Sequence, residues 1–266
     1  MMDKQELLRQ IKLFVLDMDG TFYLGEQILD GSLEFLSTVQ DTGRSFVFFT
    51  NNSSKSPDAY VTKLAGMNCH VSPEEVMTSG DVTINYLHTH YPDRPVYLVG
   101  TPVLEESFRK EGIRLVEDDP ELVVVGFDMT LNYHKIERAA TFIRRGATFL
   151  ATHLDINCPT EHGDIPDCGS FCAMLTLSTG VQPKYLGKPF PETVDLVLDR
   201  TGFDRSQVAF VGDRLYTDVA TGVNNGAHGL LVLTGETQLP DLVGSAVQPD
   251  AVFASLGEIA ECLKTL

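Results

Sequence analysis

The sequence predicts an α/β fold built on a parallel sheet. Two observations carry this. Short apolar runs, the mark of buried strands, alternate along 266 residues with segments whose apolar residues recur at helical spacing. Several of those runs stop abruptly at residues suited to chemistry, and in parallel α/β sheets ligands bind outside the carboxyl ends of the strands. Hydrophobic residues make up 43% of the chain, which is enough for a substantial core and argues against disorder.

Leu13 to Leu16 is the first strand, ending in Asp17-Met18-Asp19-Gly20-Thr21. Gly31 to Gln40 places Leu33, Leu36 and Val39 at helical spacing. Arg44 to Phe49 is β-rich and gives way to Thr50-Asn51-Asn52-Ser53-Ser54. Pro57 then opens a helix that continues to Gly66. A second set follows: a strand over Pro95 to Val99, a helix from Gly100-Thr101-Pro102 to Lys110, a strand over Leu122 to Val125, a helix over Tyr133 to Arg145, and a strand over Thr148 to Thr152. Asp155 to Gly169 holds Pro159, Gly163 and Pro166 and reads as a long loop, with a helix over Phe171 to Thr179 beyond it. In the third set, Gly187-Lys188-Pro189-Phe190-Pro191 leads into a helix to Arg200, and Val208 to Val211 is a strand ending in Gly212-Asp213. Thr217 to Gly222 begins a helix, and Leu230 to Leu233 and Ala251 to Ala254 are closing strands.

Charge narrows the partners. The 37 acidic residues outnumber 20 basic ones for a net charge of -17, with no basic run. Such a chain repels nucleic acid and anionic membrane surfaces. Met1 to Lys12 lacks the apolar core of a signal peptide, and no apolar run approaches the roughly 20 residues of a membrane span. The 5 cysteines show no Cys-x-x-Cys spacing; Cys168 and Cys172 would share one helix face as packing residues. A reducing, cytoplasmic location is expected.

If the strands at 13–16, 46–49 and 208–211 are parallel neighbours, their tips assemble Asp17, Asp19, Thr50, Asn51 and Asp213. Strand alternation would aim Asp17 and Asp19 the same way. Two carboxylates ~4 Å apart repel by roughly 4 kcal/mol at an effective dielectric near 20, so a proton or a cation must offset them. A Ca²⁺-binding loop is excluded by spacing: counted from Asp17 it needs Gly sixth and Glu twelfth, whereas Gly20 is fourth and Ile28 is twelfth. Mg²⁺, which takes oxygen ligands and few of them from protein, suits the set. Thr50 and Asn51 add donors for phosphate oxygens, and Lys188 adds a positive charge. Taken singly, these residues read more plainly as helix caps, a solvated lysine and, for Asp218, a helix N-terminal acid. Taken jointly, they point to Mg²⁺-assisted phosphoryl transfer.

The segments Asp17-Met18-Asp19-Gly20-Thr21, Thr50-Asn51-Asn52, Gly187-Lys188-Pro189 and Gly212-Asp213-Arg214-Leu215-Tyr216-Thr217-Asp218 resemble the four ordered motifs of the haloacid dehalogenase (HAD) phosphatases. Their wording is similar to the NagD-like, para-nitrophenyl-phosphatase branch, and the resemblance covers essentially the whole chain. It implies a Rossmann-like parallel-sheet core over 1–82 and 184–266, with an α/β cap domain inserted at 83–183. It implies hydrolysis of a small phosphorylated metabolite through an aspartyl-phosphate, with Asp17 as nucleophile and Asp19 as general acid and then base. A carboxylic acid beside two other carboxylates is expected to keep its proton near neutral pH. Mg²⁺ would be held by Asp17, the Asp19 backbone carbonyl and Asp213, and the phosphoryl group by Thr50, the Asn51 amide and Lys188. Asp218 would orient Lys188 or metal-bound water. The cap would select the leaving group through Asp155, Asp164 and Ser170, the last near a helix N-terminus facing an anionic group. Caps in this branch can also mediate a homodimer.

Three other readings use overlapping residues. A phosphoacceptor signalling module of the receiver type shares the Asp, the acidic site and the Lys, but it is much shorter and needs no general acid. A non-catalytic binding relative would not require every motif residue intact. Transfer to an acceptor other than water would use the same side chains.

Overall fold

Leu13–Leu16 is apolar at every position, and all four residues are buried in the computed structural model, which describes residues 3–160 and 163–266. A strand with no polar face belongs inside a parallel sheet. It pairs in parallel with Ser45–Thr50 on one side and Val208–Gly212 on the other. The whole sheet runs in the order Ala251–Phe253, His228–Val232, Val208–Gly212, Leu13–Leu16, Ser45–Thr50, Val76–Thr78. Phe14 and Leu16 pack with Phe35, Leu36 and Val39 of helix Ser32–Asp41 and with Ile259, Ala260 and Leu263 of helix Leu256–Lys264. The Phe14 and Phe35 rings meet edge to face at 5.3 Å. Each such side chain contributes roughly 1.5–3 kcal/mol by leaving water. The charged N-terminal segment is a helix, Lys4–Gln10, capped by the Asp3 carboxylate, and it adds Leu7 and Leu8 to this core.

The chain forms two units. One comprises residues up to Thr50, Tyr60–Met77 and Lys188–Leu266; the other comprises Asn51–Ala59 and Thr78–Gly187. The second unit therefore extends a few residues beyond 83–183 at each end and takes up a short run after Thr50. It has its own all-parallel sheet, ordered Lys184–Tyr185, Thr148–Ala151, Leu122–Val125, Val96–Val99. Helices Tyr133–Arg144 and Cys168–Thr179 close a core around Val123, Val125, Phe142, Ile143, Phe149 and Leu175. Cys168 and Cys172 lie on the buried face of their helix.

Two expectations change, and one unassigned stretch gains an element. The stretch 155–169 is not a loop: Asn157–Thr160 pairs antiparallel with Gly163–Pro166, and the following helix starts at Cys168. Glu161 and His162 lie outside the described residues. A two-stranded ribbon has only one neighbour per strand, so it tolerates Pro159 and Pro166 where a central strand would not. Helix Ser79–His90, capped by the reciprocal Thr78 and Asp81 hydrogen bonds, fills part of the stretch between Gly66 and Pro95 to which the sequence reading assigns no element. The segment after Asp213 is a π-helical turn over Leu215–Val219 before the helix Ala220–Asn224. Among the described residues, no helix is long and apolar enough to cross a membrane.

Candidate active site

The first unit gathers its chemistry at the carboxyl edge of the sheet. Asp17 follows Leu16, and its N–H still donates to the Val211 carbonyl at 2.9 Å, so the ladder carries the residue to that edge. Asp213 follows Gly212 in the neighbouring strand, and Thr50 ends the strand on the other side. Lys188 is buried among them. Its ammonium donates to Asp17 Oδ1 at 2.6 Å, to Asp218 Oδ1 at 2.6 Å and to the Phe49 carbonyl at 3.4 Å. Asp218 reaches this point because the π-helical turn folds it back against Gly212. A Cβ at Gly212 would lie 2.2 Å from the Asp218 side chain.

Asp213 is held by several neighbours. The Thr21 hydroxyl donates to Oδ1 at 3.2 Å and the Glu236 amide donates to Oδ2 at 2.7 Å. Gly20, at φ +85, and Gly235 close around it; a Cβ at Gly235 would stand 2.1 Å from Oδ2. Asp17, Asp213 and Asp218 each offer a carboxylate oxygen, all within 4.8 Å of one another. Burial is the main force raising the Asp17 carboxyl well above its usual range, and Asp218 and Asp213 raise it further against the pull of Lys188. Burial followed by Asp218 likewise raises Asp213, opposed by the Glu236 amide and Arg214. Burial would lower Lys188, but Asp17 and Asp218 outweigh it and keep the ammonium charged. An all-oxygen, carboxylate-rich cluster that lacks enough positive charge has the donor chemistry of a hard divalent cation site.

Asp19 stands apart from that cluster. Its carboxylate is exposed, and Oδ2 accepts from the Tyr23 hydroxyl at 3.2 Å. The expectation that two neighbouring carboxylates surround it is corrected: the groups beside Asp17 are Asp213 and Asp218, and the partner of Asp19 is a phenol. The chain turns here. The Met18 carbonyl accepts from the amides of Thr21, Phe22 and Tyr23, and the ribbon Tyr23–Leu24 with Gln27–Ile28 follows. Burial and then Asp19 raise the Tyr23 phenol, so it remains a donor. The Lys63 ammonium lies 3.8 Å from the centroid of the Tyr23 ring.

In the second unit, Asn51 is the residue after Thr50. Its Nδ2 donates to Asp155 Oδ2 at 3.2 Å, so Asp155 is engaged within its own unit. Ser170 is also engaged, donating to the Ile156 carbonyl at 2.6 Å. The helix it lies in begins earlier than expected, and its N-terminus carries the Asp167 carboxylate, which accepts from Cys168 N at 2.6 Å. That anionic cap takes the place of the anionic group expected there. Asp164 is exposed on the ribbon. The sequence reading did not single out Tyr23, Arg214, Glu236 or the His153–Asp167 pair. Only Arg214, inside the Gly212 to Asp218 motif, carried a signal that could have found it.

Comparison with known proteins follows this geometry. Residues 14–114 match the family profile described as haloacid dehalogenase-like hydrolase, and residues 185–259 match a second HAD-hydrolase-like profile. An acid sugar phosphatase of Staphylococcus aureus is 36% identical over 259 residues, covering 97% of this chain and all of the relative. A 4-nitrophenylphosphatase of Thermotoga maritima superposes with a TM-score of 0.92 at 45% identity, covering 96% of this chain and 98% of that one. NagD of Escherichia coli K-12 superposes at 0.88 with 29% identity, covering 93% and 98%. The chain belongs to the haloacid dehalogenase-like hydrolase family, in its NagD-like branch.

Proposed function

We propose that this chain is a Mg²⁺-dependent phosphatase that hydrolyses a small phosphomonoester through an aspartyl-phosphate at Asp17. The observation that carries this reading is the part-buried Asp17, in contact with Lys188 and clustered with Asp213 and Asp218 at the end of the central strand. The names of its relatives, an acid sugar phosphatase and a 4-nitrophenylphosphatase, support the same class. Asp17, Asp213 and the Asp19 backbone carbonyl would hold Mg²⁺, which supplies positive charge that lets an anionic nucleophile approach an anionic ester. Lys188 steadies the Asp17 carboxylate and offers its charge to the transferring group, beside the Thr50 hydroxyl and the Asn51 amide.

In the first half-reaction an Asp17 oxygen bonds to phosphorus, the ester oxygen leaves, and Asp19 gives that oxygen its proton. In the second half-reaction Asp19 takes a proton from water, the water oxygen bonds to phosphorus, and the Asp17–phosphorus bond breaks. Asp218 orients Lys188 through its 2.6 Å contact. The second unit is assigned as the cap, and Asp164 is its exposed candidate for contact with the leaving group.

The direct test is phosphate release from para-nitrophenyl phosphate and from a panel of sugar phosphates in Mg²⁺. No release from any phosphomonoester would overturn the reading. Asp19→Asn should lower kcat/KM, which reports the first half-reaction alone, by about 10²–10⁴-fold for alkyl phosphates and far less for the nitrophenyl ester, whose leaving group needs no proton. Equal slowing across leaving groups would remove the acid role. Tyr23→Phe takes away a single hydrogen bond to Asp19 and should lower kcat for alkyl phosphates by about fivefold. Gly235→Ala pushes a methyl group into Asp213 and should weaken Mg²⁺ binding about 10–100-fold by calorimetry.

A further inference from the structure

The second unit contains a buried polar cluster that the mechanism above does not use. His153, Thr152 and Ser79 are fully buried, and Asp167 is nearly so. His153 Nε2 lies 2.9 Å from Asp167 Oδ1, and its Nδ1 lies 2.9 Å from Thr152 Oγ1 and 3.3 Å from Ser79 Oγ. The Ser79 hydroxyl donates to the Asn51 backbone carbonyl, which can only accept. The single Ser79 proton is therefore committed, so Nδ1 can meet Ser79 only as a donor, with Thr152 Oγ1 beside it as a second acceptor. An ionised Asp167 can also only accept, so Nε2 must donate as well. By this count a doubly protonated imidazolium satisfies every one of these contacts, with the Thr152 proton given to Ser53 Oγ at 3.0 Å.

The groups facing it agree with this count. Burial pushes His153 down, but Cys168, the Asp167 hydrogen bond and charge, and Asp155 together bring it up to about 9. Asp155 accepts from Asn51 Nδ2 at 3.2 Å, so Asn51 is tied at its carbonyl through Ser79 and at its side chain through Asp155. A Cβ at Gly187 would lie 2.7 Å from Asn51 Oδ1 and 3.1 Å from His153 Cβ, so the backbone just before Lys188 packs on the same cluster. His153, Asp155 and Asp167 bring ligand atoms within 4.8 Å of one another, as a metal site would. A cation, however, takes an unprotonated imidazole nitrogen, and both ring nitrogens are spoken for.

We propose that His153, held by Asp167, is a positioning residue that, through the Ser79 hydroxyl on the Asn51 carbonyl, fixes the Asn51 backbone and so the amide that residue offers to the phosphoryl group. This rests on the phosphoryl-binding role given to Asn51 above. A raised histidine keeps its charge below its folded value and loses it above, so the network holds at neutral pH and is released as pH rises through about 9.

Ser79→Ala removes the bridge and leaves the His153–Asp167 pair in place. Inorganic phosphate should then inhibit on the order of fivefold more weakly, with KM raised and the leaving-group dependence of kcat unchanged. Nitrogen NMR of the whole wild-type protein should show both His153 ring nitrogens protonated at pH 7, and the Asn51 amide resonance should shift as pH passes about 9. A neutral imidazole at pH 7, or unchanged phosphate inhibition in Ser79→Ala, would overturn the proposal. The resonances need no turnover and no variant, so they decide the network even where the phosphatase reading fails.

Discussion

Asp17→Asn is expected to lose phosphate release by roughly 10⁴-fold or more, because the amide cannot act as the nucleophile on which both half-reactions depend. The fold should survive. Lys188 keeps its second carboxylate, Asp218 Oδ1 at 2.6 Å, so its buried charge stays paired in the variant. Retained wild-type turnover in Asp17→Asn would assign the nucleophile elsewhere.

Removal of the divalent cation should have a comparable effect. Chelation is expected to lower turnover by roughly 10³-fold or more, in line with the several kcal/mol of charge stabilisation such an ion supplies, and added Mg²⁺ should restore it. The same cation should raise the melting temperature, since an ion at 100 times its Kd stabilises the fold by about 2.7 kcal/mol. Asp213→Asn, which removes one of the three clustered carboxylates, should blunt both responses. Full activity after exhaustive chelation would rule out the metal.

The parts of this protein that could be read in the sequence are those where burial leaves little choice. Leu13–Leu16 and Val208–Gly212 are apolar throughout, so they had to be interior strands, and the acids that follow them had to lie at one edge. Lys188 and Asp218 could be found because they sit in short motifs beside proline and glycine landmarks. What stayed hidden depends on contacts across the chain. Tyr23 looks like an ordinary core aromatic until the turn at Met18 brings its hydroxyl to Asp19. His153 and Asp167 are separated by the ribbon of Asn157–Thr160 and Gly163–Pro166, whose prolines disguised it as a loop. The separation of Asp19 from the cluster of Asp17, Asp213 and Asp218 was likewise hidden, because strand alternation alone could not show the chain turning after Asp17.

The central strand has a consequence for biosynthesis. Leu13–Leu16 is followed soon by its neighbour Ser45–Thr50, but its other neighbour, Val208–Gly212, leaves the ribosome almost 200 residues later. At typical elongation rates of about 5–20 residues per second, one side of that apolar strand waits roughly ten to forty seconds for its partner. Asp213 and Asp218 arrive with the same late segment. A nascent chain stalled before residue 208 should therefore have no hydrolytic activity and should expose an edge that recruits chaperones, and catalysis should switch on only when the segment that begins at Val208 docks.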